Sequence, residues 1–179
     1  MTLPRGTFQL GPDSGTLQVK TYREGLASRA GHDLVMDVTT WSANVTLGDD
    51  AAIEVSADPR SLEVRAGTGG VRPLTDKDRA DIRKQIDTKV LQGMPISFRS
   101  TAVKADPSGD AMSVEGQLTI GPSTEAVTAR LSVADDGRIS GTIPLTQSRF
   151  GIKPYRGLMG ALRIRDDIEI VVDARMPQV

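Results

Sequence analysis

Runs of alternating apolar and polar residues, each ended by a cluster of Gly, Pro, Asp or Asn, recur along most of this chain. They restrict it to sheets that bury one face and wet the other. Leu17, Val19 and Thr21 share a face, as do Ile53, Val55 and Ala57. The same period links Met112, Val114, Leu118 and Ile120, then Val127, Ala129, Leu131 and Val133, then Ile139, Ile143 and Leu145. The last run sets Leu162, Ile164, Ile168, Ile170 and Val172 against Arg163, Arg165, Asp167, Glu169 and Asp173. Between them, Gly48-Asp49-Asp50, Asp106-Pro107-Ser108-Gly109-Asp110, Gly121-Pro122-Ser123 and Asp135-Asp136-Gly137 carry residues that accept positive φ or fix a turn, and read as hairpin connections. Short strands at such regular spacing predict an all-β barrel or sandwich.

Two segments depart from the simple pattern. From Leu34 to Leu47 the apolar phase shifts from Leu34, Met36 and Val38 to Trp41, Ala43, Val45 and Leu47, which calls for a bulge or bend near Thr39. From Thr75 to Val90, Ile82, Ile86 and Val90 fall four apart, and Thr75-x-x-Asp78 resembles a capping box with Asp in place of Glu. Pro73 precedes this stretch and Gly93 and Pro95 follow it, so one α-helix over about 75–90 is expected, inserted in an otherwise antiparallel closed barrel.

The length of 179 residues fits a single domain over 1–179. With three Phe, two Tyr and one Trp, the interior has to be filled by aliphatic side chains. Twenty-two basic and 23 acidic residues leave a net charge of −1, which gives no field to gather nucleic acid. Without Cys there are no disulfides, thiolate nucleophiles or Cys-based metal sites. The first residues, Met1-Thr2-Leu3-Pro4-Arg5-Gly6, show no basic segment leading into an apolar one, and no later run is long enough for a transmembrane segment, so a cytoplasmic location is expected.

Few constellations suggest chemistry. The sole histidine, His32, precedes Asp33, but neighbouring strand residues face opposite ways, so Asp33 does not orient it; a lone histidine is no metal site either. Gly67-Thr68-Gly69-Gly70 lacks the Lys-Ser/Thr of a phosphate loop, and Asp76, Asp78 and Asp81 lack the glycine and distal Glu of a calcium loop. These acids suit the first turn of the helix. More distinctive is the stretch from Arg149 to Arg165. Arg149, Lys153, Arg156, Arg163 and Arg165 occur there without one acid, among Phe150, Ile152, Tyr155, Leu158 and Met159, a combination that suits either an anionic head group with its apolar tail or an edge strand and loop with ordinary exposed Arg.

In order along the chain, Glu54 to Val64 (EVSADPRSLEV), Met94 to Thr101 (MPISFRST), Val114 to Ile120 (VEGQLTI), Gly141 to Ile152 (GTIPLTQSRFGI) and Asp167 to Ala174 (DIEIVVDA), with the earlier Gly31-His32-Asp33, resemble the YceI-like family of lipid-binding barrels. The resemblance implies an extended, lipocalin-like antiparallel β-barrel of about eight strands whose cavity holds a polyisoprenoid or related chain. On that footing the expected ligand is an apolar small molecule, polyisoprenoid, quinone or fatty-acid-like, bound without catalysis and without a cofactor. Leu34, Met36, Val38, Trp41, Phe98, Phe150, Ile152, Tyr155 and Met159 are the candidate ligand-binding residues, and Arg29, His32, Arg149, Lys153 and Arg156 the head-group candidates. Two alternatives stand beside this reading: a small barrel enzyme using His32 or Tyr155, and a solid barrel acting as an interaction module. Open edge strands would invite pairing with a second copy as a homodimer.

Overall fold

The alternating runs become strands in the computed structural model, which describes residues 5–177. In chain order these are β1 (Gly6–Leu10), β2 (Gly15–Thr21), β3 (Arg23–Glu24), β4 (Asp33–Val38), β5 (Trp41–Leu47), β6 (Ala52–Ala57) and β7 (Leu62–Thr68). Helix α1 (Asp76–Gln85) follows, then β8 (Ile96–Ala105), β9 (Ala111–Ile120), β10 (Ser123–Val133), β11 (Arg138–Thr146), β12 (Arg156–Gly157), β13 (Leu162–Ile164) and β14 (Asp167–Arg175). Eleven of them make one curled antiparallel sheet in the order β1-β5-β6-β8-β9-β10-β11-β14-β2-β4-β7, and β12, β13 and β3 make a small second sheet.

The expectation of about eight strands is therefore too low, for two physical reasons. Corners at 39–40 and 58–61 cut long bent strands into the pairs β4/β5 and β6/β7, and β3, β12 and β13 are too short to show alternation. The expected bend at Thr39 is the first of these corners. Thr39 N–H and Oγ1 both donate to the Ser61 carbonyl at 2.9 Å, and Asp58 N–H donates to the Thr40 carbonyl at 3.0 Å, so the two corners tie to each other. A separate bulge leaves Arg65 as an extra residue opposite Val35 and Met36.

Closure by strand pairing is also corrected: β1 and β7, the two edges of the main sheet, do not pair with each other. Part of the β7 edge is met by the helix instead. Arg79 donates through Nη1 to the carbonyls of Val64 at 2.7 Å and Arg65 at 3.0 Å, and Arg83 reaches the Arg60 carbonyl at 3.2 Å. The helix starts as its sequence predicts. Thr75 Oγ1 accepts from Asp78 N–H while the Asp78 carboxylate accepts from Thr75 N–H, a complete capping box, and Arg72 clamps the same carboxylate. After Gln85 the backbone widens into a π turn over Ile86–Val90, closed by Leu91 N–H on the Ile86 carbonyl at 2.9 Å. Among the described residues no helix is long and apolar enough to cross a membrane.

Candidate functional site

The inward faces of the strands do not fill the space they enclose. They surround a cavity of about 640 Å³, inside the range usual for sites that swallow a small apolar molecule. With only six aromatic side chains in the whole chain, branched aliphatic residues cover the wall and leave its middle open. The period-two sets of the sequence supply this lining from Leu17 through Val172; of the residues in those sets that face inward, Leu47 and Val133 are packed away from it. The helix contributes Ile82, Ile86 and Val90, its four-apart stripe, and the π turn brings Leu91 to the wall as well.

The cavity has two unlike ends. Met112, Leu131, Ile139 and Ala174 lie together near the hairpin ends of β9, β10, β11 and β14, where Met112 is 0% and the adjoining Met176 1% exposed. At the other end the lining includes Ala30, Gly31, His32, Val71, Arg72, Tyr155 and Leu162, several of them solvent-exposed, and this is the mouth. It is built by β12–β13–β3, which extends from the end of β2 and the start of β14. Arg163 pairs with both Arg156 and Glu24, and Arg165 N–H donates to the Tyr22 carbonyl at 2.8 Å. On the far side of the mouth His32 Nε2 lies 2.7 Å from the Arg72 carbonyl, so the imidazole donates there and holds the 69–72 loop. Gly70, at φ +72°, sits so close that a side chain would strike the ring at 2.5 Å.

Of the sequence-predicted ligand residues, Leu34, Met36, Val38, Trp41, Phe98, Ile152 and Tyr155 stand on the cavity wall. Phe150 is buried in the core but off the wall, in the short 3₁₀ turn Gln147–Phe150, and Met159 projects into solvent. Among the head-group candidates only His32 lines the cavity. Arg29, Lys153 and Arg156 are exposed around the mouth, and Arg149 is ion-paired with Glu125 at 2.9 Å. The polar residues of the wall include Thr21, which the alternation of β2 already turns inward, and Gln85, Ser97 and Gln147, which carry no sequence signal of their own. Thr21 Oγ1, Trp41 Nε1 and Gln85 Oε1 are buried without hydrogen-bond partners, an arrangement that is costly in an apolar interior. His32 and Asp33 diverge as expected: Asp33 turns away to accept from Arg23 N–H at 2.9 Å. Among the described residues no group of three or more His, Asp or Glu is placed to hold a metal ion.

Beside the mouth, Tyr22 Oη donates to Glu169 Oε2 at 2.9 Å, beneath the Arg165 guanidinium 5.9 Å from the ring centre. The hydrogen bond to Glu169, with desolvation and the nearby carboxylates, raises the Tyr22 pKa above its ordinary value. A folded-state pKa above the unfolded one stabilises the fold at pH below the ordinary phenol range, and that contribution is lost as pH rises through the raised value. In a Tyr155→Phe background, ultraviolet titration should show the remaining phenol ionising above about pH 10 and Glu169→Gln should move it down. An unmoved titration would dismiss the bond.

The fold is similar to that of known proteins. A family model for the YceI-like domain matches residues 27–176. The crystal structure of Burkholderia cenocepacia BcnA is similar at 20% identity and a TM-score of 0.62, covering 88% of this chain and 94% of that one. A Campylobacter jejuni YceI protein is similar at 12% identity and 0.54, covering 80% and 85%. A polyisoprenoid binding domain from Saccharophagus degradans is similar at 7% identity and 0.53, covering 97% and 100%. No curated protein matches the chain.

Proposed function

The chain belongs to the YceI-like family, and we propose that it binds and carries a long apolar molecule of the polyisoprenoid type, or a related quinone or fatty-acid-like chain, in its barrel without catalysing a reaction. The observation that carries this reading is the 640 Å³ cavity with its aliphatic wall. Membership in the family and the likeness to a polyisoprenoid binding domain support apolar binding in general. The energetics are sufficient: at roughly 25 cal/mol per Å², about 330 Å² of ligand surface removed from water matches the ~8 kcal/mol of a micromolar complex before the costs of association. A wall with so few polar groups discriminates by length and width rather than by hydrogen bonding.

His32 and Tyr155 both reach the cavity, as an enzyme would require. His32 Nε2 is already engaged by the Arg72 carbonyl, however, and Asp33 faces away, which favours a structural imidazole. Native mass spectrometry of the purified protein, with organic extraction, tests the proposal. A co-purifying apolar mass is expected. A barrel that is reproducibly empty, and whose Trp41 fluorescence ignores polyprenyl and fatty-acid probes, would overturn it.

A further inference from the structure

Among the described residues the large apolar side chains left exposed are Leu26 at 102%, Val71 at 79%, Leu158 at 60% and Met159 at 107%, and all four surround the cavity mouth. Their placement follows from the backbone. Ala27 N–H donates to the Ala161 carbonyl at 2.9 Å and Ala161 N–H donates to the Leu158 carbonyl at 3.1 Å, so the tips bearing Leu26, Leu158 and Met159 are tied side by side. Gly31 packs on Leu162 in the same cluster, and Gly69 in the Val71 loop packs on Arg23. Leu158 and Met159 are also held at φ +48° and +56°, the left-handed region that branched and bulky residues avoid. Strain spent on displaying two apolar side chains to water points to a function for the display.

Charge identifies the occupant. Arg29, Lys153 and Arg156 ring these tips with no acidic partner within ion-pair distance among the described residues, in a chain whose net charge is −1. Of the nearby acids, Glu24 pairs with Arg163 at 3.8 Å and Asp33 with the Arg23 guanidinium at 3.9 Å, while Asp166 is turned onto Ser148, whose N–H donates to it at 2.7 Å. Apolar tips inside a basic ring match the boundary of an anionic bilayer, where the tips enter the acyl region and the cations meet the head groups. We propose that the mouth docks on an anionic lipid surface, with Leu26, Leu158 and Met159 inserted, so that the cavity opens onto the membrane. The inference rests on the carrier reading for its purpose, since a long apolar ligand crosses water poorly; the docking itself is tested separately.

The test is flotation of the full chain with phosphatidylcholine vesicles, with and without phosphatidylglycerol, alongside uptake of a polyprenyl probe in vesicle-free solution. Wild type is expected to float with the phosphatidylglycerol vesicles and to release as salt rises. Leu26→Asp with Leu158→Asp should lower the partition at least tenfold while probe uptake and melting temperature hold, and neutralising Arg29, Lys153 and Arg156 together to Gln should lower it similarly. Wild type that ignores the anionic vesicles, or double-variant binding equal to wild type, would overturn the docking. So would a wild-type dimer that the double variant converts to monomer, because a second copy would then cover this surface. If wild type takes up no probe, the carrier reading fails and the vesicle results still decide the docking.

Discussion

Replacing Ala129 by Phe is expected to cut affinity for a long polyprenyl-quinone probe by tenfold or more while leaving a short-chain analogue bound. Ala129 pairs with Val114 in the middle of the β9–β10 ladder, and both line the cavity, so a ring placed there projects across the space a long chain would occupy. Tenfold is about 1.4 kcal/mol, which corresponds to losing only about 55 Å² of buried apolar contact. A phenyl ring blocks more than that. The fold should survive, because the ring enters open volume instead of displacing neighbours. Trp41, the one tryptophan, stands on the same wall and reports quenching by the quinone directly. If the long probe binds Ala129→Phe as tightly as it binds wild type, the ligand lies outside the barrel.

The cavity wall was legible in the sequence because alternation on a half-buried strand is a direct record of which side faces in. Leu17, Val19, Val127, Ile143, Ile170 and Val172 fall on the wall for this reason alone. The helix was equally plain, since Thr75 and Asp78 carry its start and Ile82, Ile86 and Val90 its inward stripe. Where the backbone leaves regular structure the record stops. Phe150 and Met159 both lie in short 3₁₀ turns, where sequence spacing no longer fixes direction, and one is buried off the wall while the other points into water. The mouth was legible only as a basic, apolar-interleaved stretch. That Leu26 and Val71, distant in sequence, join Leu158 and Met159 there follows from β3 pairing with β13 and from the bond between His32 and the 69–72 loop, which are tertiary facts. Closure is not legible for a similar reason: alternation reports faces, not which edge strands meet, and β1 and β7 stay unpaired with each other.

Gly15→Ala should be among the most damaging single-methyl changes in the barrel, lowering stability by about 2–3 kcal/mol, within the range for overpacked sites. Gly15 lies opposite Ala174 where β2 meets β14, and a Cβ there would stand 2.3 Å from the Asp173 carbonyl oxygen and 2.4 Å from Ala174 Cα. Both are main-chain atoms, so no rotamer change relieves the clash and the strands themselves have to separate. For a domain of this size that amounts to a melting temperature lower by roughly 5–10 °C. Gly160 supplies the control: nothing lies within 4 Å of its Cβ position, but its φ is +88°, so Gly160→Ala isolates backbone strain from close approach. Equal melting temperatures for the two variants would show that the narrow β2–β14 spacing is not what Gly15 protects. If the spacing is the cause, the consequence reaches the cavity. Leu17 and Val19 on β2 face Val172 and Ile170 on β14 in the same ladder and form part of the wall, so strands forced apart there admit water to an apolar site. Gly15→Ala should therefore lose probe affinity at temperatures well below its own melting point, whereas Gly160→Ala, in the turn at the mouth, should keep it.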